Sequence, residues 1–295
     1  MIKLKAFTMI ELIFVIVIMG IIGSFGTEFL AQAYNSFIYS KINNELQSKS
    51  NHILEYTSKK LEARIPPSVI KRKADNGAFM GATEVVADPD NYYILEWIGY
   101  DIEGFRGTTT PYWSGIVDLD PVLTTSNKLT SNFNTTEINA LIGKLSYGDS
   151  SIANAAIIFN AANHNPNSFG WEGGDALNDQ TMSMHPINST TANEFISSQA
   201  GINFSGVTIY NRYMLAWTAY AIVHDTTDNH LTLYYDYQPW NGQDWETHGK
   251  SAMIMEDVST FRIKASPDGR LFSLMVCVKS NLLGGHSICK EKTIF

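Results

Sequence analysis

Hydrophobic positions follow three regimes along the chain. In "KAFTMIELIFVIVIMGIIG", residues 5–23, almost every position is apolar and Glu11 is the lone acid. The apolar character runs from Met9 to Leu30, and as a helix that stretch would be about 33 Å long, enough to cross a bilayer. Beyond it, Leu30, Tyr34, Ile38, Ile42, Leu46, Leu54, Leu61 and Ile65 recur at steps of four and seven or eight, with Lys, Glu, Asn and Ser mostly between them. That is the pattern of an amphipathic helix. Nothing interrupts it before Pro66-Pro67. One helix over 7–65, about 88 Å long, is therefore expected.

After the prolines the period changes to two. "YYILEWIGY" (92–100), "NAAIIFNA" (154–161), "YMLAWTAYAIV" (213–223) and "LTLYYDY" (231–237) have strand composition. In the last, Leu231, Leu233, Tyr235 and Tyr237 alternate as in a half-buried strand. "HDTTDNH" (224–230) reads as the hairpin connection before it. Strands beginning at Val258 and Leu271 flank Ser266-Pro267-Asp268-Gly269, a turn signal. Short helices are expected at 135–147 and 191–199. The fold class is α+β: a long N-terminal helix, then a mainly antiparallel β domain over 66–295.

Three readings of the N-terminus compete. A signal anchor would merely tether the body. A cleaved secretory signal has Ala31-Gln32-Ala33 in its favour, a small-x-small site after an apolar core. Neither has a use for Glu11, and estimates for a carboxylate inside a membrane start at about 2.5 kcal/mol. The continuous helix is the third reading, and a cut after Ala33 would destroy it. Lys3 and Lys5 precede the apolar run and keep the first residues cytoplasmic.

The net charge of -8 argues against nucleic acid as the main ligand. The longest basic run, Lys71-Arg72-Lys73, reads as a solvated face. Cys277 and Cys289 become cross-strand partners if 271–279 and 286–294 form a hairpin centred on Leu283. Their Cα atoms would then lie within the roughly 4.4–6.8 Å of a disulfide. A bond of that kind suits an oxidising compartment.

Catalytic chemistry is weakly signalled. His224, Asp225, Asp228 and His230, with the pairs Asp118/Asp120 and Glu256/Asp257, could be acid–base or metal groups. At 224–230, which reads as a hairpin tip, Asp, Asn and His are ordinary turn residues, and that explanation is the stronger one. No cofactor is expected. Asp88-Pro-Asp90-Asn and Gly173 to Asp179 could offer oxygen ligands to calcium, but neither has EF-hand spacing. Among the tryptophans, Trp97 and Trp217 read as core. Trp171, Trp240 and Trp245, set among Gly, Pro, Asn and Gln, are candidates for an exposed platform of a binding module, a list that also includes Trp113.

"AFTMIELIFVIVIMGIIG" resembles the N-terminus of type IV prepilins and type II secretion pseudopilins. In that family a short basic leader ends at a small residue, mature chains begin with Phe, the fifth mature residue is Glu and the fourteenth is often Gly. Those positions are here Ala6, Phe7, Glu11 and Gly20. The departure is Ala6, where the family usually has Gly. The resemblance implies a leader over 1–6, cleavage between Ala6 and Phe7 by a prepilin peptidase, and N-methylation of Phe7. It also implies a single-pass inner-membrane protein with a periplasmic body, and other pilin or pseudopilin subunits as partners. Glu11 would pair with the Phe7 amine of a neighbouring subunit and set the register between helices. A minor pseudopilin is the nearest expectation, with a minor type IV pilin or competence pseudopilin as alternatives. A membrane-tethered binding module or enzyme is the rival class.

Overall fold

The computed structural model describes residues 8–73, 77–84, 92–160, 164–172, 182–199, 201–266, 271–282 and 285–294. The leader and Phe7 lie outside them, as do Asp88, Asp90, 173–179 and 267–269.

Helix α1 runs over Met9–Glu62 without interruption. Its apolar first half is exposed throughout, and the most apolar 18-residue window has a mean hydropathy of 2.4. It is long and apolar enough to cross a membrane. From Ile42 the helix acquires a buried face: Ile42, Leu46, Ser50, Ile53, Leu54, Thr57, Ser58 and Leu61. The helix stops at Glu62, three residues before the expected end. There the backbone is captured by a strand instead, with Ile65 N–H donating to Ile98 O at 2.8 Å and Tyr100 N–H to Ala63 O at 2.9 Å. Ile65, predicted on the helix face, is buried beyond the helix.

Strands β1 (Ile70–Arg72), β2 (Phe79–Gly81) and β3 (Ile94–Gly99) come next. Every residue of β3 is buried, because the strand is covered on both faces. Leu95 and Trp97 face the α1 side, whereas Ile94 and Ile98 face away from it. Residues 100–217 then form a separate lobe: α2 (Ile102–Arg106), β4 (Trp113–Asp118), β5 (Leu129–Phe133), α3 (Thr135–Leu145), β6 (Ala156–Phe159), β7 (His185–Thr191), β8 (Glu194–Ser197) and β9 (Tyr213–Ala216). The chain returns through β10 (Thr218–Asp225), β11 (His230–Tyr237) and β12 (Lys250–Met255). Because β10 pairs with β3, Gly99 against Thr218, the lobe is an insertion between two neighbouring strands. The first sheet has the order β12-β11-β10-β3-β1-β2. Last come β13 (Val258–Ala265), β14 (Phe272–Lys279) and β15 (Ser287–Ile294), a three-stranded sheet. All strand pairs are antiparallel.

The inserted sheet, β4-β5-β8-β7-β6-β9, curls until its ends meet. Val117 N–H donates to Asn211 O at 3.0 Å, and Ile116 bridges Arg212. Its interior is filled by Trp113, Phe133, Phe159 and Phe195 among others, with Ile138 and Ile142 of α3 packed into the same core. Its outer surface at Ala156, Ile158 and Ala216 packs on the first sheet. Burial of apolar area on this scale drives the assembly.

Three local expectations need correction. Residues 191–199 are not a helix. Asn193 adopts a φ of 66° and turns the chain between β7 and β8, a conformation that Asn tolerates better than most residues. The 213–223 run is two strands, β9 and β10, in different sheets. The alternation in 231–237 breaks at Asp236, a bulge residue with a φ of 63°, so Tyr235 and Tyr237 pack on opposite sides of the sheet. Helix α3 stands where it was expected.

Cys277 and Cys289 are directly opposed across β14 and β15 and form a disulfide. Their Cα atoms are 3.9 Å apart, closer than the expected range. Ser280 N–H donates to His286 O, so by alternation Cys277 and Cys289 occupy a non-hydrogen-bonded pair, where strands approach most closely. Thiol labelling of the denatured, unreduced protein should find no free cysteine, and two labelled cysteines would contradict the pairing. Removing the bond should lower stability by roughly 3 kcal/mol, the chain-entropy value for a loop of this size.

Candidate functional site

The exposed half of α1 is the feature the body cannot explain. Met9 to Tyr39 includes more than a dozen large apolar side chains that stand in the open, far beyond what a soluble surface carries. At its tip, Thr8 is the N-cap and Glu11 the third helical residue. Glu11 N–H donates to Thr8 Oγ1 at 3.4 Å, while Thr8 N–H donates to Glu11 Oε2 at 3.1 Å and the Thr8 hydroxyl donates to the same oxygen at 3.0 Å. This is a capping box: each side chain satisfies a backbone donor that the first helical turn leaves orphaned. The sequence carries the signal as Thr8-x-x-Glu11. Glu11 therefore has a partner within its own chain. Gly20 is exposed, and nothing lies within 4 Å of where its Cβ would stand.

The proposed acid–base cluster comes apart in three dimensions. His224 is buried and its Nε2 lies 2.7 Å from Val258 O, with burial holding its pKa below the usual imidazole range. Asp225 is exposed and accepts the Thr227 and Asp228 N–H groups at the hairpin tip. Asp118 accepts Asp120 N–H at 3.0 Å, and Asp120 accepts Val122 N–H at 2.8 Å, so both carboxylates close turns. Asp257 accepts Asn281 Nδ2 at 2.7 Å beside Lys49 of α1. Among the described residues no group of three or more His, Cys, Asp or Glu side chains could hold a metal ion.

All six tryptophans are buried, including Trp171, Trp240 and Trp245, which removes the exposed platform. These three close over the core between the two sheets. Trp240 Nε1–H donates to Asn154 O at 2.9 Å. Gly170, in the left-handed region at φ 90°, lets that loop approach Pro239 so closely that a Cβ would stand 2.4 Å from its carbonyl oxygen. The Gly and Pro flanks thus mark a tight closure and not an open loop.

The basic run is likewise not a solvated face. Arg72 is buried and ion-paired with Glu96, itself 1% exposed. Tyr237 Oη–H donates to Glu96 Oε2 at 3.1 Å, and Arg72 Nη2–H donates to Trp171 O at 2.7 Å. Burial pushes the Glu96 carboxyl above the usual range, opposed by the Arg72 charge and the two donors. At the entrance to the inserted lobe, Asp101 accepts Gly104 N–H and Trp113 Nε1–H at 3.0 and 3.1 Å, and burial raises its pKa to about 6. Both carboxylates hold elements together: Glu96 joins β1, β3 and β11, and Asp101 fixes α2 against β4.

Compared with known proteins, the chain matches no family model, no curated protein and no solved structure.

Proposed function

We propose that this protein is a pilin-like structural subunit, a minor pseudopilin of a type II secretion system, that assembles through the exposed half of α1. The observation that carries the reading is the continuity of one helix through two environments. A detachable signal or a flexible tether needs a break between anchor and body, and α1 has none between Met9 and Glu62. An apolar half that protrudes bare, on the same rigid rod as a half that packs against β14 and β15, suits a subunit that is extracted from a membrane into a helical bundle. The body lies on the periplasmic side of the inner membrane, with the leader cytoplasmic before a prepilin peptidase removes it. Other pilin or pseudopilin subunits are the partners. A minor type IV pilin or competence pseudopilin would share the same helix. The large inserted lobe favours a rare or terminal position over a repeating lattice.

The test is the mature N-terminus. Intact-mass analysis of protein extracted from membranes should give a chain beginning at Phe7 and carrying one added methyl group. A chain beginning at Tyr34 would eliminate the proposal, since the apolar half would be gone.

A further inference from the structure

The three-stranded sheet has two outer edges, and they are treated differently. The β15 edge is covered by α1: Lys290 Nζ reaches Asn51 at 2.8 Å and Lys292 Nζ reaches Glu55 at 2.7 Å. Among the described residues, strand β13 has β14 on one side and no strand on the other. Its backbone polarity follows from the register. Ser266 N–H donates to Leu271 O at 2.8 Å, which makes Lys264–Ser273 and Arg262–Met275 the hydrogen-bonded pairs of the ladder. Phe261, Ile263 and Ala265 between them turn their N–H and C=O groups away from β14. No described residue bonds to those groups.

Beside this edge lies a groove of about 400 Å³. One wall is β13 itself, and the lining continues over the outer face of the sheet onto Ser273 and Met275 of β14 and Glu291 of β15. The facing wall carries Ala82, Tyr92, Tyr93 and Ile94, and Lys71 stands at the rim. The apolar side chains lie on the inner side, where Phe261 is buried, and the exposed Arg262 and Lys264 project on the outer side. Two carboxylates border the groove, and both are already engaged. Glu84 accepts Gly81 N–H at 2.9 Å, and Glu291 accepts the Ser273 hydroxyl. Lys264 has no ion-pair partner among the described residues.

We propose that the open edge of β13 receives one extended strand of a partner protein, with apolar and acidic residues in alternation, as the fourth strand of this sheet. Main-chain hydrogen bonds to Phe261 and Ile263 supply affinity, and alternate side-chain positions supply selectivity. The period of two places apolar residues of the incoming strand against Phe261 and Tyr93 and an acid against Lys264. A second copy of this chain is disfavoured, because β13 carries no acid to set against Lys264. The Cys277–Cys289 bond fixes β14 to β15 behind the template, so little ordering entropy is lost on docking. The inference rests on the body alone and is independent of the pilin reading.

The experiment uses the full chain in detergent micelles and fluorescence anisotropy of a labelled peptide of about eight alternating valine and aspartate residues, matched to β13. The peptide is expected to bind, the valine–lysine counterpart to bind at least about tenfold more weakly, and an N-methylated valine–aspartate peptide likewise. Ile263→Pro removes an N–H that points outward and adds bulk there, a change that edge strands tolerate, and it should weaken binding by a similar factor. Lys264→Glu, at an exposed position, should reverse the preference between the two peptides. The proposal fails if the acidic peptide does not bind, or if its binding survives both N-methylation and Ile263→Pro. It also fails if sedimentation shows a dimer that Ile263→Pro abolishes, because the occupant is then a second copy.

Discussion

Glu11→Gln should insert into the membrane and lose its leader normally, yet fail to co-purify with partner subunits. The amide keeps an oxygen in place for the Thr8 N–H, so the capping box of α1 survives. What is lost is the negative charge, and with it the proposed pairing to a neighbour's Phe7 amine. That amine would then remain cationic in an apolar setting, a condition that disfavours docking by several kcal/mol. Glu11→Ala removes both the charge and the cap and should be no better. Thr8→Val removes half of the cap and leaves the charge; it should weaken the first helical turn by about 1 kcal/mol and still assemble. Co-purification, membrane fractionation and leader cleavage are read on all three. If Glu11→Gln assembles like wild type while Glu11→Ala and Thr8→Val do not, Glu11 is a capping residue and the register role is wrong.

The largest effect on stability is expected at Glu96. Glu96→Leu leaves the Arg72 guanidinium buried without its counter-ion and the Tyr237 hydroxyl without an acceptor. Breaking a buried pair from one side is destabilising by roughly 3–5 kcal/mol. The triple change Arg72→Met, Glu96→Leu, Tyr237→Phe removes every member of the pair and its main satellite, and should recover at least half of the loss. Urea unfolding followed by tryptophan fluorescence measures both, since Trp171 accepts from Arg72 and lies in the same core. A Glu96→Leu loss below about 1 kcal/mol would show that the pair is not a structural centre.

These two sites differ in how far the sequence announced them. Glu11 stood out because an acid inside an apolar run is conspicuous, and the hairpin carrying Cys277 and Cys289 was legible because its register depends on residues twelve apart. Glu96 was hidden in "YYILEWIGY", where a charged residue in a buried strand looks like the polar half of an alternation. Its partner Arg72 is 24 residues away and reads as part of a basic run. The insertion was hidden for a similar reason. The pairing of Gly99 with Thr218 leaves no local trace, and the Asn, Ser, Thr and Gly that are dense from 124 to 201 suggest only long polar loops, with no sign that β6 and β9 meet. Trp240 and Trp245 were misplaced because composition reports that a segment turns, but not what the turn closes upon. Asn193 shows the same limit at one residue: a helix-compatible stretch becomes a hairpin through a single left-handed conformation.

The way the inserted lobe is attached has a mechanical consequence. A pull on the exposed apolar end of α1 enters the body along Ile42 to Leu61 and is shared directly with β14 and β15, where the Cys277–Cys289 bond resists shear. Residues 100–217 leave and rejoin the body at adjacent positions on β3 and β10, so their two ends move together under such a pull. The lobe is carried as cargo outside the line of tension, free to keep its shape while the rod that bears it is drawn.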